Sequence, residues 1–238
     1  MLSLSLSMSS ARQELLRLLA TNSFRLGEFK LSSGGASDYY VDCRTTTLHA
    51  RGSQLTGQVF LEEIRARGWK PQAIGGLTMG ADPIVVAVAV ISGEIHGFLV
   101  RKSEKQHGTG QRIEGFRDKG ARVVIVDDVC TTGASTVQAI EAAREFGFNV
   151  VGAMCLVERE EAHGRSAVEK AAAPANFISI FTASDVRKEH VLLPAGAHAE
   201  RQEEERQSQA FAAGVGCELC GRPAVVHKPR SRCAEHKV

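Results

Sequence analysis

RVVIVDDVCTTGAST, residues 122–136, carries four signals in unbroken order. A continuous apolar run from Arg122 to Asp127 reads as a strand buried on both faces, and it ends in the acids Asp127 and Asp128. A turn rich in threonine and glycine follows, and the next stretch, Gly133 to Phe146, reads as a helix. Backbone N–H groups and hydroxyls of Thr131, Thr132, Gly133, Ala134 and Ser135 can converge on a phosphate. The positive end of the following helix adds to that attraction. Carboxylates repel a phosphate but accept hydrogen bonds from sugar hydroxyls. An acid pair and a phosphate turn on one strand–loop–helix therefore suit a ribose 5-phosphate. A solvated Asp pair before an ordinary helix cap would not need all four signals in register.

Outward from this segment, short apolar strands alternate with helices. Toward the N-terminus, leucines recur at helical spacing in residues 11–20, and the pattern repeats from Ser53 to Arg67. Ala73 to Leu77 reads as a strand, Asp82-Pro83 opens a helix ending at Ser92-Gly93, and Ile95 to Val100 is the next strand. Arg101 to Gly115 is a polar, glycine-bearing loop. Downstream, Val150 to Val157 is a strand, Gly164 to Ala172 a helix and Phe177 to Phe181 a last strand. This alternation predicts an α/β fold, a mainly parallel sheet flanked by helices with its binding loops at the strand C-termini.

The bulk numbers narrow the function. The chain has 238 residues, 43% hydrophobic and 24% charged, with a net charge of +2. That length suffices for a sizeable core, and the near-neutral charge argues against a general nucleic-acid binder. The longest strongly apolar stretch, Ile84 to Ile91, is too short to span a bilayer, so no membrane role is expected. MLSLSLSMSS at the start has neither a basic n-region nor a long apolar h-region and reads as a loose leader rather than a signal peptide. Cys43, Cys130 and Cys155 sit among apolar strand residues, as reduced buried thiols of a cytoplasmic protein do.

The segment around Asp127 resembles the PRPP-binding signature of the type I phosphoribosyltransferases, which use 5-phosphoribosyl 1-diphosphate (PRPP) with Mg2+. Other segments must select the base. RKSEKQHGTGQRIEG supplies Arg101, Lys102, Lys105 and His107 within seven residues, flanked by Gly108 and Gly110. By itself this is a basic loop. It is similar to the catalytic loop of orotate phosphoribosyltransferases, in which the corresponding lysine and histidine reach a neighbouring subunit, implying a homodimer. Cations there suit the charge that develops on departing pyrophosphate, and a closing lid would exclude water.

FKLSSGGASDYYVDCR, Phe29 to Arg44, reads on its own as an edge hairpin with a Gly34-Gly35 turn. It resembles the substrate hood of the same family, which implies that Tyr39 and Tyr40 lie against the base. Where some members carry a lysine this chain has Ser32. GGLTMGADPI, Gly75 to Ile84, resembles the family's pyrophosphate loop, with backbone amides near Thr78 to Gly80 meeting the diphosphate. Met79 stands where some relatives have a basic residue, which leaves charge there to Arg101 and Lys102. In LVEREEAHGR, Arg159 follows a strand end, and the resemblance assigns it to orotate, whose carboxylate a guanidinium can grip with two hydrogen bonds. The expected activity is transfer of the phosphoribosyl group from PRPP to orotate. The alternatives are a phosphoribosyltransferase for another base, or a PRPP-sensing regulator of the same fold.

After Pro194 the composition turns polar and charged. The expected organisation is a phosphoribosyltransferase domain with hood over 1–195, a polar linker over 196–215 and a tail over 216–238. The tail carries C-x2-C-x12-C-x2-H through Cys217, Cys220, Cys233 and His236. Two ligand pairs at that spacing can close a tetrahedral Zn2+ site, and metal binding would have to supply folding energy that so short a segment lacks. His227 is an alternative fourth ligand, and a redox CxxC pair or chance cysteines are alternative readings.

Overall fold

The apolar run at Arg122 lies inside a six-stranded sheet. In the structure, a computed structural model that describes residues 8–30, 36–102 and 112–194, it becomes strand β6, Arg122–Cys130, flanked by strands on both sides. The elements before it are α1 (Ser10–Asn22), β1 (Phe24–Lys30), β2 (Ala36–Val41), α2 (Arg44–Thr47), α3 (Ala50–Ala66), β3 (Ala73–Leu77), α4 (Asp82–Ser92), β4 (His96–Val100) and β5 (Ile113–Gly115). After it come α5 (Ala134–Phe146), β7 (Asn149–Glu158), a 3-10 turn (Glu160–Ala162), α6 (Arg165–Ala172), β8 (Asn176–Thr182) and α7 (Ala183–Leu192).

The main sheet has the order β5-β4-β3-β6-β7-β8, parallel except for β5, which runs antiparallel to β4. Strands β3, β6 and β7 are buried almost throughout, hence their unbroken apolar sequences. From β3 the chain moves outward to β4, and from β6 it moves outward the other way through β7 and β8. Right-handed crossovers then put α4 on one face and α5 and α6 on the other. The reversal between β3 and β6 opens a crevice at the strand C-termini, the usual ligand position in such sheets. Beneath it, Phe98, Val123, Ile125, Ala139, Ile140 and Phe148 form part of one buried cluster with α5.

Several boundaries differ from the sequence expectation. Strand β6 runs to Cys130, because pairing with β7 continues through Val129↔Val157 and Cys130↔Glu158. The two acids therefore lie inside a rigid ladder rather than beyond it. The predicted loop from Arg101 contains β5, which pairs Ile113 with Val100. The hairpin begins earlier than expected, at Phe24, and a register shift between Leu26 and Phe29 bends it. Helix α7 was not expected at all. The leader residues 1–7, the Gly34-Gly35 turn with Ser32, residues 103–111 and the tail from residue 195 lie outside the described residues. Among the described residues, Cys43, Cys130 and Cys155 are buried free thiols, and no helix is long and apolar enough to cross a membrane.

Candidate active site

Each loop at the crevice delivers its side chains for a local reason. On β6, Asp127 points inward and is buried. Its Oδ2 accepts from the Thr136 hydroxyl at 2.8 Å, and its Oδ1 accepts from the Asp128 amide at 3.0 Å. Burial, then the neighbouring Asp128 charge, push its carboxyl up to about 7, although the Thr136 bond works the other way. Asp128 leans over Gly80, where a Cβ would come within 2.3 Å of its Oδ1, so any side chain there would push the carboxylate aside.

The turn after β6 closes through two glycines. Gly133 caps α5 with φ +77°, a left-handed conformation that suits glycine. Gly164, before α6, lies against it: a Cβ there would meet the Thr131 carbonyl at 2.2 Å and the Gly133 nitrogen at 2.7 Å. The turn is thus braced from behind by a second loop.

These elements enclose an open cavity of about 1120 Å³. Of the predicted residues it brings together Tyr40, Arg101, Lys102, Asp127, Asp128, Thr131, Thr132, Ser135 and Arg159. Thr78, Met79 and Gly80, from the predicted diphosphate loop, join them. Gly133 and Ala134 shape the turn without lining the cavity. Lys105, His107, Cys217, Cys220, Cys233 and His236 lie outside the described residues.

Tyr39 departs from the expectation. On β2 the two tyrosines alternate, and of the pair Tyr40 reaches the cavity. Tyr40 lines the cavity, whereas Tyr39 is buried and stacks on Phe24 with centroids 5.1 Å apart.

Arg159 is buried at the end of β7. Its Nε donates to the Tyr39 hydroxyl at 2.9 Å and to Glu161 at 3.0 Å, and its Nη2 donates to Ser37 at 3.0 Å. Three charged residues, Asp42, Arg44 and Glu114, line the cavity beyond those the sequence points to. Arg44 is held by Asp42 through a two-pronged pair at 2.9 and 2.8 Å, and Glu114 pairs with Arg101 at 3.2 Å. The signal for Arg44 was present, an Asp-x-Arg at the hairpin's end. Glu114 lay hidden in what read as loop.

The phosphoribosyl transferase domain profile matches residues 48–180, more than half the chain. Orotate phosphoribosyltransferase of Aquifex aeolicus is 41% identical over 182 residues, covering 74% of this chain and 97% of the relative. The chain belongs to the orotate phosphoribosyltransferase family. The same enzyme of Corynebacterium glutamicum is 45% identical over 152 residues, 63% of this chain and 82% of that one. Among solved structures, Mycobacterium tuberculosis orotate phosphoribosyltransferase in complex with PRPP superposes with a TM-score of 0.63 at 35% identity, covering 74% of this chain and 98% of that one. An adenine phosphoribosyl transferase from Trypanosoma brucei, at 16% identity and a TM-score of 0.57, shares the fold alone.

Proposed function

We infer that this chain transfers the 5-phosphoribosyl group from PRPP to orotate, giving orotidine 5-phosphate and pyrophosphate. The observation that carries the reading is one cavity at the strand C-termini that an acid pair, a hydroxyl-rich helix-capping turn and a buried arginine line together. In the reaction, an orotate ring nitrogen loses its proton and forms a bond to ribose C1 as the C1–oxygen bond to the diphosphate breaks; the electron pair leaves with pyrophosphate, which can take up the proton. Thr131, Thr132 and Ser135, with the amides of Gly133 and Ala134, would hold the 5-phosphate. Asp127 and Asp128 would accept from the ribose hydroxyls, and Arg159 with Tyr40 would orient the base. Arg101 and Lys102, joined by Lys105 and His107, would offset the charge developing on the leaving group.

Mg2+ fits this donor set. The described residues hold no cluster of three or more His, Cys, Asp or Glu that could ligate a metal, but Asp127 and Asp128 border the cavity. A magnesium ion that arrives on a diphosphate needs only one or two protein carboxylates. Bound there, it would neutralise diphosphate charge.

A homodimer with the 101–115 loop acting across the interface belongs to the same reading. Val86 and Val90, one turn apart on α4, are 60% and 74% exposed, a patch suited to burial against a second copy. Orotate absorbance loss on adding PRPP and Mg2+ tests the activity. Lys105→Ala should lose at least about tenfold in rate. Mixing Lys105→Ala chains with Asp127→Asn chains should restore part of the activity, because one site of each mixed dimer then has both groups. No restoration would place Lys105 in its own subunit's site.

For residues 196–238 we propose a polar linker followed by a tail in which Cys217, Cys220, Cys233 and His236 hold a structural zinc. Metal analysis of the purified full chain should find about one zinc per chain, released in Cys217→Ser and Cys220→Ser. A full complement of zinc in either variant would refute this ligand set. The buried free thiols also favour a reducing, cytoplasmic setting.

A further inference from the structure

We propose that Tyr39 and Glu161 are positioning residues for Arg159, and that through it they set the affinity for the carboxylate-bearing base. This rests on the reading of Arg159 as the side chain that grips orotate.

The geometry runs from one edge of the guanidinium outward. Both Nε and Nη2 of Arg159 lie 3.0 Å from the same Glu161 oxygen, and Nε also reaches the Tyr39 hydroxyl. The Tyr39 hydroxyl in turn donates to that Glu161 oxygen. The Nε/Nη2 edge is therefore filled. Nη1 makes no hydrogen bond among the described residues, and the arginine borders the cavity. A guanidinium is a rigid fork on a long, rotatable stem, so holding one edge fixes the direction in which the other points.

Tyr39 adds a platform. Its ring lies 4.5 Å from the Arg159 Cζ, and its other neighbours, Phe24 and Arg187, keep it in place. A buried phenol needs partners for its hydroxyl, and here both partners belong to the arginine's own network. A phenylalanine would fill the same space, so packing alone does not account for the hydroxyl. Arg187, on α7, also pairs with Asp38 of the hood. Helix α7, the hood and Arg159 thus form one mechanical series, with the Glu161 turn closing it.

The test is steady-state kinetics on the full chain, varying orotate and PRPP separately. Tyr39→Phe keeps the stack and removes the hydroxyl. It should raise the orotate KM about tenfold, leave the PRPP KM within about twofold and melt at the wild-type temperature. Added to Arg159→Ala it should change the orotate KM no further, because its effect passes through Arg159. Additive effects, or an orotate KM unmoved by Tyr39→Phe while Arg159→Ala raises it, would overturn the positioning role and leave the arginine's own assignment intact. Glu161→Gln should retain more orotate affinity than Glu161→Ala. If Arg159→Ala itself leaves the orotate KM unchanged, the underlying reading fails and the proposal with it.

Discussion

Asp127→Asn is expected to lose at least about two orders of magnitude in orotidine 5-phosphate formation while melting at a higher temperature than wild type at pH 8. The two effects share a cause. Asp127 is buried beside Asp128, and burial and that second charge raise its carboxyl to about 7. A carboxyl whose folded-state value lies above its unfolded value stabilises the fold in its protonated form. That contribution is complete below the unfolded value near 4 and is lost as pH rises through about 7. At pH 8 the folded protein therefore carries an ionised, poorly solvated carboxylate at nearly its full cost.

Asparagine removes that charge at little geometric expense. Its oxygen can keep the Asp128 amide, and its NH2 can donate to the Thr136 hydroxyl, which is able to accept. A gain on the order of 1–3 kcal/mol is expected, or roughly 3–8 °C. The gain should shrink as pH falls from 8 toward 5, where wild-type Asp127 is itself protonated. Thermal melting of both proteins at pH 8, 6.5 and 5 checks this. A destabilised variant, or a difference independent of pH, would mean that the acid pair is not a source of strain. The activity falls because an amide no longer offers the ribose hydroxyls a charged acceptor.

The parallel sheet was legible because β3, β6 and β7 are buried on both faces, and complete burial writes itself as uninterrupted apolar runs. The phosphate turn was legible because its threonines, glycine and helix start are contiguous. Helix α7 escaped notice since only Ala183 and Val186 are buried on it, leaving almost no apolar period. A local signal did exist. Thr182 and Asp185 exchange backbone–side-chain hydrogen bonds at 3.1 and 3.0 Å, a Thr-x-x-Asp capping box.

What could not be read were relations between distant segments. Tyr39 and Tyr40 look equivalent in a motif, and strand alternation alone says that they face opposite ways. It does not say which of them meets Arg159, 120 positions later. The Glu114–Arg101 pair likewise depends on β5 folding back on β4, a three-residue strand with no periodicity to detect.

Gly164 is the sharpest case of such a hidden relation, and Gly164→Ala should separate PRPP binding from orotate binding. In sequence it is one glycine opening a helix. In the structure its missing side chain is what lets the α6 loop lie against the phosphate turn. A methyl group there would sit 2.2 Å from the Thr131 oxygen, 2.7 Å from the Thr132 carbonyl carbon and 2.7 Å from the Gly133 nitrogen. All three are backbone atoms, so no side-chain rotation relieves the overlap. Gly133 is itself in a left-handed conformation, and a Cβ on it would meet Val168 Cγ2 at 2.6 Å and the Gly164 carbonyl oxygen at 2.8 Å. The turn must move as a whole. Overpacking of this kind costs about 1–3 kcal/mol, and shifting amides by a fraction of an ångström off a phosphate weakens every bond they make. The expected result is a PRPP KM raised at least about thirtyfold and a lower melting temperature, with inorganic phosphate no longer protecting against unfolding. On the orotate side of the cavity, Arg159 is also held from the hairpin by Tyr39 and Ser37, which lie on a different segment from Gly164, so the orotate KM at saturating PRPP should change by less than about threefold. Equal weakening of both substrates would show that the α6 loop braces the whole cavity rather than the phosphate turn alone.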